Sequence, residues 1–357
     1  MSSEEEEIET TRSSCRFIRI IAGKSLENPT IVDEKVEWLS RLQVYRASST
    51  LDKLSIEPDF ISARCVGMDA ASALAVEALD PQPGMGILDL CCAPGMKLAA
   101  IAELMRKEGQ LVGVDVSEMR LNTTAAVLRK YKVAEEADDD DGKIRDNNWD
   151  LSLWQCDGRE FHPTLKKGTL TWSSSMNRIF TGGKTLPVAR KRAGKGLRKL
   201  LHAQANKEAQ EKTMCPEFDR VLIDAECTTD GRTHPSSREE VSYKRKKWTG
   251  ETGEASPEEE ADTEKLQFEL LSNGFGLLKP GGFLVYSTCS LREGQNEGVL
   301  ANFMKHEPRA KLVPPLAQYP QVPAFVQSSR ILGNLGWRLN PAVSGTSGMF
   351  IARLMKV

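Results

Sequence analysis

No two cysteines in this sequence are spaced as C-x-x-C, although it carries eight, at positions 15, 65, 91, 92, 156, 215, 227 and 289. Histidine is scarce too, with four in the chain, so a structural zinc site has little to be built from. A chain of 357 residues with unpaired cysteine spacing reads as reduced and intracellular. No apolar run approaches the length of about 18 residues that crosses a bilayer, which excludes a membrane protein. The amino terminus is acidic, with Glu4 to Glu7 in a row, and does not look like a signal or transit peptide. Cytoplasm or nucleus is therefore the expected location, with the mitochondrion less expected. An excess of positive charge is also missing, the formal net charge being −2, so any surface for nucleic acid must be local.

What is present is an alternation of strands and helices. Residues 1–15 are polar and acidic and read as a disordered tail. Between Pro29 and Arg46, Val32, Val36, Leu39 and Leu42 recur at helical spacing. A second helix is expected from Asp69, an N-cap, through Leu79, and Asp80-Pro81-Gln82-Pro83-Gly84 stops it. The stretch 16–83 is thus expected to be a mostly helical lead-in. After it come apolar strands at Gly86–Cys92, Leu111–Val116, Trp149–Asp157, Phe218–Asp224 and Phe283–Ser290, with helices at Leu98–Leu104, Leu121–Tyr131 and Leu266–Leu278. Two more strands near Trp337–Leu339 and Gly348–Leu354 would form a closing antiparallel hairpin. Such alternation implies an α/β fold with a mostly parallel sheet and helices on both faces, over 84–357. Polar insertions are expected at about 163–214 and 236–262. They contain the basic clusters Arg190-Lys191-Arg192 and Lys244-Arg245-Lys246-Lys247, which suit contact with phosphate.

Ligands of open α/β sheets sit at the carboxyl ends of the strands, so the residues there are the candidates. The first strand ends in Cys91-Cys92-Ala93-Pro94-Gly95-Met96-Lys97, a tight turn into a helix. It lacks G-x-G-x-x-G, which argues against a dinucleotide or a Walker-type phosphate site. Asp115 ends the second strand, either as a helix N-cap or as an acceptor for both hydroxyls of a ribose. Asp157 ends the third, either as a turn residue or as a partner for an adenine amino group. Together they suggest a nucleoside-bearing cofactor without phosphates. The next two strand ends are Asp224-Ala225-Glu226-Cys227 and Ser287-Thr288-Cys289-Ser290. Either cysteine alone reads as buried packing. Two thiols and a carboxylate at neighbouring strand ends are harder to explain that way, because exposed thiols risk oxidation.

The series Leu88-Asp89-Leu90-Cys91-Cys92-Ala93-Pro94-Gly95-Met96-Lys97, Asp115, Asp157-Gly158, Asp219 to Cys227 and Tyr286 to Leu291 with Asn296-Glu297 resembles the NOL/NOP/Sun family of RNA cytosine-5 methyltransferases. The resemblance covers roughly residues 65 to 357. It implies a Rossmann-like class I methyltransferase domain and S-adenosylmethionine as cofactor. It also implies RNA as substrate, tRNA or rRNA, with a protein partner for RNA selection conceivable. By the same resemblance, residues 91–97, Asp115, Asp157 and Asp224 hold the cofactor, and Cys289, Cys227 and Asp224 are catalytic. Carbon-5 of cytosine is a poor nucleophile until a thiolate adds to carbon-6, the bond Cys289 would make. Asp224 would hydrogen-bond the ring at N3 and the amino group, Cys227 would help remove the carbon-5 proton, and Lys97 would lower the thiol pKa by its charge.

Three positions depart from the family pattern. Met96 stands where the family has Gly, Cys92 where it has Ala, and Glu226 where it has Pro. The last is expected to loosen the backbone beside Asp224 and to add a charge near the RNA. Thr228-Thr229-Asp230 resembles the branch that includes mitochondrial members. Three competing functions remain at this level. One is a methyltransferase-fold RNA-binding or assembly protein with little turnover. The second is a DNA cytosine methyltransferase, whose family takes its nucleophile from a Pro-Cys at the fourth strand. The third is a small-molecule methyltransferase, which has no need of two cysteines.

Overall fold

The computed structural model describes residues 17–51, 53–133, 149–164, 168–173, 217–232, 256–316 and 324–357. The acidic stretch 1–15, the acidic run 135–141 and both basic clusters lie outside the described residues.

The first residues build a small antiparallel sheet rather than a helical lead-in. Its strands β1 (Phe17–Ile20), β2 (Val32–Lys35), β3 (Val44–Ala47) and β4 (Cys65–Gly67) stand in the order β2-β3-β1-β4. The helix expected over Pro29–Arg46 is therefore corrected: that stretch is one 3-10 turn, β2, a loop and β3. The physical reason is a carboxylate distant in sequence. Glu77 accepts hydrogen bonds from the backbone N–H groups of Ser40, Arg41 and Leu42 and from the Ser40 hydroxyl, at 2.8–3.1 Å. A loop whose donors are satisfied from outside has no need of helical hydrogen bonds. Val36, Leu39 and Leu42 still point into the core, so the spacing of apolar residues arose from burial, not from helix.

The helix expected from Asp69 is α1 (Ala70–Leu79), and the Asp69 carboxylate accepts from the Ala71 N–H at its start. It is buried on nearly every side: the small sheet covers one side, and the central sheet the other. An ion pair from Arg19 Nη1 to Glu103 Oε2, 2.6 Å, fastens the small sheet to the neighbouring helix.

The central sheet has β5 (Gly86–Asp89), β6 (Gln110–Asp115), β7 (Asp150–Gln155), β8 (Thr169–Ser173), β9 (Phe218–Asp224), β10 (Leu278–Thr288), β11 (Ala310–Val313), β12 (Gln327–Ser329), β13 (Gly333–Leu339) and β14 (Met349–Lys356). The order is β12-β13-β14-β10-β9-β5-β6-β7-β8, with β11 against β14. The five central strands, β10-β9-β5-β6-β7, are mutually parallel, and the edges are antiparallel, including the expected β13–β14 hairpin. Helices α1, α2 (Met96–Leu104) and α3 (Glu118–Lys130) cover one face, and α4 (Pro257–Gly276) and α5 (Val299–His306) the other. Each apolar side chain lost from water in these layers contributes about 1.5–3 kcal/mol.

Two insertion boundaries also need correction. Residues 169–173, expected inside a polar insertion, form β8 against β7; Leu170, Trp172 and Ser173 are its buried positions. Residues 256–262, expected to close the other insertion, start α4. Ser256 and Glu259 make a reciprocal capping box there, so Glu258-Glu259-Glu260 sit in the first turn, where negative charge is favourable.

Candidate functional site at the strand carboxyl ends

From β5 the chain moves one way along the sheet to β6 and β7, then returns to place β9 on the other side of β5. The crevice between β5 and β9 is the switch point where such sheets bind ligands. Cys91 to Lys97, Asp115, Asp224, Cys227 and Cys289 all follow or end strands at this edge.

The loop after β5 is held by its own backbone. The Cys92 N–H donates to the Val114 carbonyl at 2.9 Å, and the Cys91 N–H donates to Asp89 Oδ1 at 3.3 Å. Ala93-Pro94 is a cis peptide, and Gly95 follows at φ +101°. A Cβ on Gly95 would stand 2.8 Å from Thr124 Cγ2, so a side chain is excluded both by conformation and by α3. Glycine therefore lets the loop pack tightly against α3 at the start of α2. Met96, despite its size, lies partly buried against the core. Cys92 is buried, close enough to Gly113 that a Cβ there would meet its sulfur at 2.9 Å. Burial, then the charge of Asp89, pushes both the Cys91 and Cys92 thiols well up, which keeps them protonated and inert.

Asp115 is buried. Its Oδ1 accepts from the Ser117 N–H at 2.9 Å, and Arg120 Nη1 lies 3.3 Å from Oδ2. Ser117, not Asp115, is the N-cap of α3. Arg120 also donates to the Ala93 carbonyl at 2.8 Å, linking the acid to the loop. Asp157 carries a chelating Arg159, with contacts of 2.7–3.1 Å to both oxygens, and Arg159 reaches on to Glu269. These hydrogen bonds hold the Asp157 carboxyl below the usual range. Asp89, behind the crevice, is buried, and that burial, with Asp224 nearby, raises its pKa to about 7.

At the end of β9, Asp224 Oδ2 receives Lys97 Nζ at 2.7 Å and Oδ1 receives the Ser287 hydroxyl at 2.9 Å. Burial opposes the Lys97 charge, but Asp224 outweighs it and the ammonium pKa is raised. Lys97 was expected to lower the thiol pKa by its charge; it pairs directly with Asp224, and its charge also interacts favourably with Cys289. The Cys227 and Cys289 sulfurs lie 3.2 Å apart without a disulfide. The Cys227 hydrogen bond is the largest influence on Cys289 and lowers its pKa, while burial opposes. Arg232 lowers it further, and the result is about 7. Cys227 is pushed well up by the same hydrogen bond and by burial. The hydrogen bond between the two sulfurs thus favours the proton on Cys227 and the negative charge on Cys289.

The segment after Asp224 is not loose, contrary to the expectation from Glu226. The Ala225 N–H donates to the Ser287 carbonyl at 3.0 Å, and Gln267 Nε2 from α4 donates to the Glu226 carbonyl at 2.8 Å. The Thr228 N–H donates to Gln295 Oε1 at 3.1 Å. Three outside partners replace the stiffness a proline would supply. Gln267 is fully buried, so Gln267→Leu removes the partner of the part-buried Glu226 carbonyl and is expected to lower the unfolding free energy by about 0.5–1.5 kcal/mol. A urea titration that finds the variant as stable as the parent would show that this contact carries nothing.

Gln267, Arg120 and Arg232 were missed from sequence. None sits at a strand end, and only Arg232, five residues after Cys227, carried a positional hint. Beyond Cys289, Thr288 Oγ1 donates to Asn296 Oδ1 at 2.5 Å, Asn296 Nδ2 donates to the Ser290 carbonyl at 3.0 Å, and buried Glu297 pairs with Arg338. The Asn296-Glu297 pair thereby locks the loop that carries the thiol. Among the described residues no group of His, Cys, Asp and Glu could hold a metal ion.

A family profile described as "16S rRNA methyltransferase RsmB/F" matches residues 76–147 and 184–355. Ribosomal RNA small subunit methyltransferase B of Klebsiella pneumoniae is 25% identical over 301 residues, covering 84% of this chain and 48% of that protein. The 5-cytosine rRNA methyltransferase NSUN4 of Xenopus laevis is 30% identical over 233 residues, covering 65% of this chain and 40% of that one. The chain spans about half the length, or less, of these curated relatives. Among solved structures, a methyltransferase homologue from Pyrococcus horikoshii superposes with a TM-score of 0.61 at 22% identity, covering 98% of this chain and 89% of that one. NSun6 from the same organism, solved with SFG, gives a TM-score of 0.54 at 22% identity, covering 88% and 60%. Both show the same Rossmann-like methyltransferase fold.

Proposed function

The chain belongs to the RsmB/F family of methyltransferases, and from that premise we propose that it transfers a methyl group from S-adenosylmethionine to carbon-5 of a cytosine in RNA. The observation that carries this reading is the thiol pair. Cys227 and Cys289 stand 3.2 Å apart beyond the ends of adjacent parallel strands, with the Cys289 pKa lowered and the Cys227 pKa raised, and with Asp224 at the end of the strand before Cys227.

The residues present suit the cofactor. The tight loop 91–97 at the start of α2, the buried Asp115 carboxylate and Asp157 supply a turn and two acceptors, as a nucleoside with free hydroxyls and an amino group requires. Residues 91–97, Asp115 and Asp157 would hold it, with Asp224 bordering it. S-adenosylmethionine, when bound, supplies the methyl group.

The chain's own residues do the rest. Cys289 Sγ forms a bond to carbon-6 of the base, which places electron density on carbon-5. Asp224, fixed by Lys97 and Ser287, orients the base by accepting from its amino group with the remaining acceptor capacity. After transfer, Cys227 takes part in removing the carbon-5 proton, and the Cys289–carbon bond then breaks. Once Cys289 is bonded to the base, its negative charge is gone, and with it the largest influence that kept Cys227 protonated. Adduct formation therefore readies the second thiol. The target base must be unpaired or unstacked for this attack.

The names of the relatives favour rRNA over tRNA. No described helix is long and apolar enough to cross a membrane, and cytoplasm or nucleus remains the proposed location. Selection of the RNA falls to the small sheet and the basic clusters, with or without a protein partner.

The test is incubation of total RNA with methyl-labelled S-adenosylmethionine and digestion to nucleosides. Label in 5-methylcytidine is expected. RNA binding without any label would overturn the reading in favour of an assembly protein.

A further inference from the structure

Lys97 is in contact with Asp224 and acts on Cys289 through its charge alone, so a cation in contact with the Cys289 sulfur must come from elsewhere. The answer lies in the turn after Cys227. Gly231 N–H donates to the Cys289 carbonyl at 3.0 Å, and the Gly348 N–H donates to the Gly231 carbonyl at 2.6 Å. A Cβ on Gly231 would stand 2.8 Å from the Cys289 oxygen and 3.0 Å from the Gly348 Cα. Both obstacles are backbone, so only glycine lets the turn approach this closely. Asp230 braces the other side: its Oδ1 accepts from the Thr228 hydroxyl at 2.7 Å and from the Leu291 N–H at 3.2 Å. The Arg232 N–H closes the turn on the Thr229 carbonyl at 3.2 Å, with Thr229 at φ +58°. The next side chain along, Arg232, is thereby carried beside Cys289, and its guanidinium hydrogen-bonds the Cys289 sulfur.

We propose that Arg232 is a positioning residue for the nucleophile: carried there by the turn that Gly231 pins to Cys289, its guanidinium holds the Cys289 sulfur in place. This rests on the reading of Cys289 as nucleophile. The charged and titratable groups around that sulfur are Cys227 and Asp224 from the end of β9, Lys97 from the start of α2, and Arg232 from the turn. Asp224 disfavours the thiolate, and its own cation, Lys97, contacts it at 2.7 Å. Arg232 and Cys227 hydrogen-bond the sulfur and favour the thiolate most, and Lys97 adds a favourable charge interaction without a hydrogen bond to it. A guanidinium suits the task because it stays charged at every pH of interest and its donors keep a fixed plane. Its charge also persists after Cys227 changes protonation state, so the thiolate regenerated at release is stabilised again.

The experiment is the rate of Cys289 alkylation by iodoacetamide against pH, in the full chain, with the modified peptide identified by mass. No RNA or cofactor is needed. The parent profile is expected to have its midpoint near 7, in keeping with the Cys289 pKa. Arg232→Met is expected to move it up by about one unit, since a charge in contact with a titrating group shifts it by about 1–3. That is about a tenfold slower reaction at pH 6, with the plateau at high pH preserved. Arg232→Lys is expected to restore most of the shift, and Arg232→Gln to behave as Met. A merely structural role would change the plateau or the unfolding midpoint and leave the profile where it was. Equal midpoints in parent, Met and Gln variants would overturn the proposal while leaving Cys289 as nucleophile intact. Methyl transfer that survives Cys289→Ser would instead overturn the nucleophile reading itself, whatever the alkylation profile shows.

Discussion

Cys289→Ser is expected to lower methyl transfer to RNA by about 10⁴-fold or more, since removing the nucleophile of a covalent mechanism costs about 10⁶ where it has been measured. The substitution removes one sulfur and keeps the shape, so the loss reports chemistry and not folding. A serine hydroxyl beside Arg232 stays protonated across the neutral range, whereas the thiol is half ionised at about 7. Without a bond to carbon-6, carbon-5 has no electron density to offer a methyl donor. The measurement is single-turnover transfer to RNA, with the unfolding midpoint as a control. Transfer within tenfold of the parent would sink the covalent reading. It would also move attention to Cys227, whose sulfur is 3.2 Å away. The Cys289→Ser, Cys227→Ser double variant would then decide whether either thiol matters.

Cys227→Ala is expected to do something different: it should accumulate a covalent protein–RNA adduct that survives denaturation. Cys289 would still add to the base and the methyl group would still be transferred, but the carbon-5 proton would lack its acceptor. Breakdown of the adduct would become the slow step. The substitution also removes the hydrogen bond that does most to lower the Cys289 pKa, so attack should slow at pH 6 and recover at pH 8. An adduct band on a denaturing gel, dependent on S-adenosylmethionine and absent in the Cys289→Ser, Cys227→Ala double variant, is the expected outcome. Normal turnover without adduct would remove Cys227 from the mechanism and leave proton removal to water. The two single variants therefore differ in kind, one giving no bond and the other a bond that does not break.

Part of this molecule was legible in one dimension because local chemistry decided it. Strands ending in Asp224 and Thr288, the N-cap at Asp69, and the loop 91–97 are each set by residues within a few positions of one another. Hydrophobic burial makes a run such as Phe218–Asp224 a central strand wherever it occurs. What failed was the stretch from Pro29 to Arg46, where apolar spacing matched a helix. There the deciding group, the Glu77 carboxylate, lies some 35 positions away in sequence and takes the loop's N–H groups for itself. β8 was missed for a related reason. Its apolar pattern is short and is set within polar sequence, so only pairing with β7 makes it a strand.

The same division runs through the site. The identity of the chemical groups, two cysteines, one aspartate and a loop for a nucleoside, was determined by the sequence itself, because side-chain chemistry is a property of the residue. Their protonation states, partners and reach were decided only by tertiary structure. Lys97 was brought into contact with Asp224, Glu226 was stiffened by Gln267 and Gln295 in place of a proline, and Arg232 was brought to the sulfur by a glycine pressed between two backbones. Charge interactions and hydrogen bonds act over a few ångströms, and which groups come that close is settled by packing between strands and helices far apart in the chain.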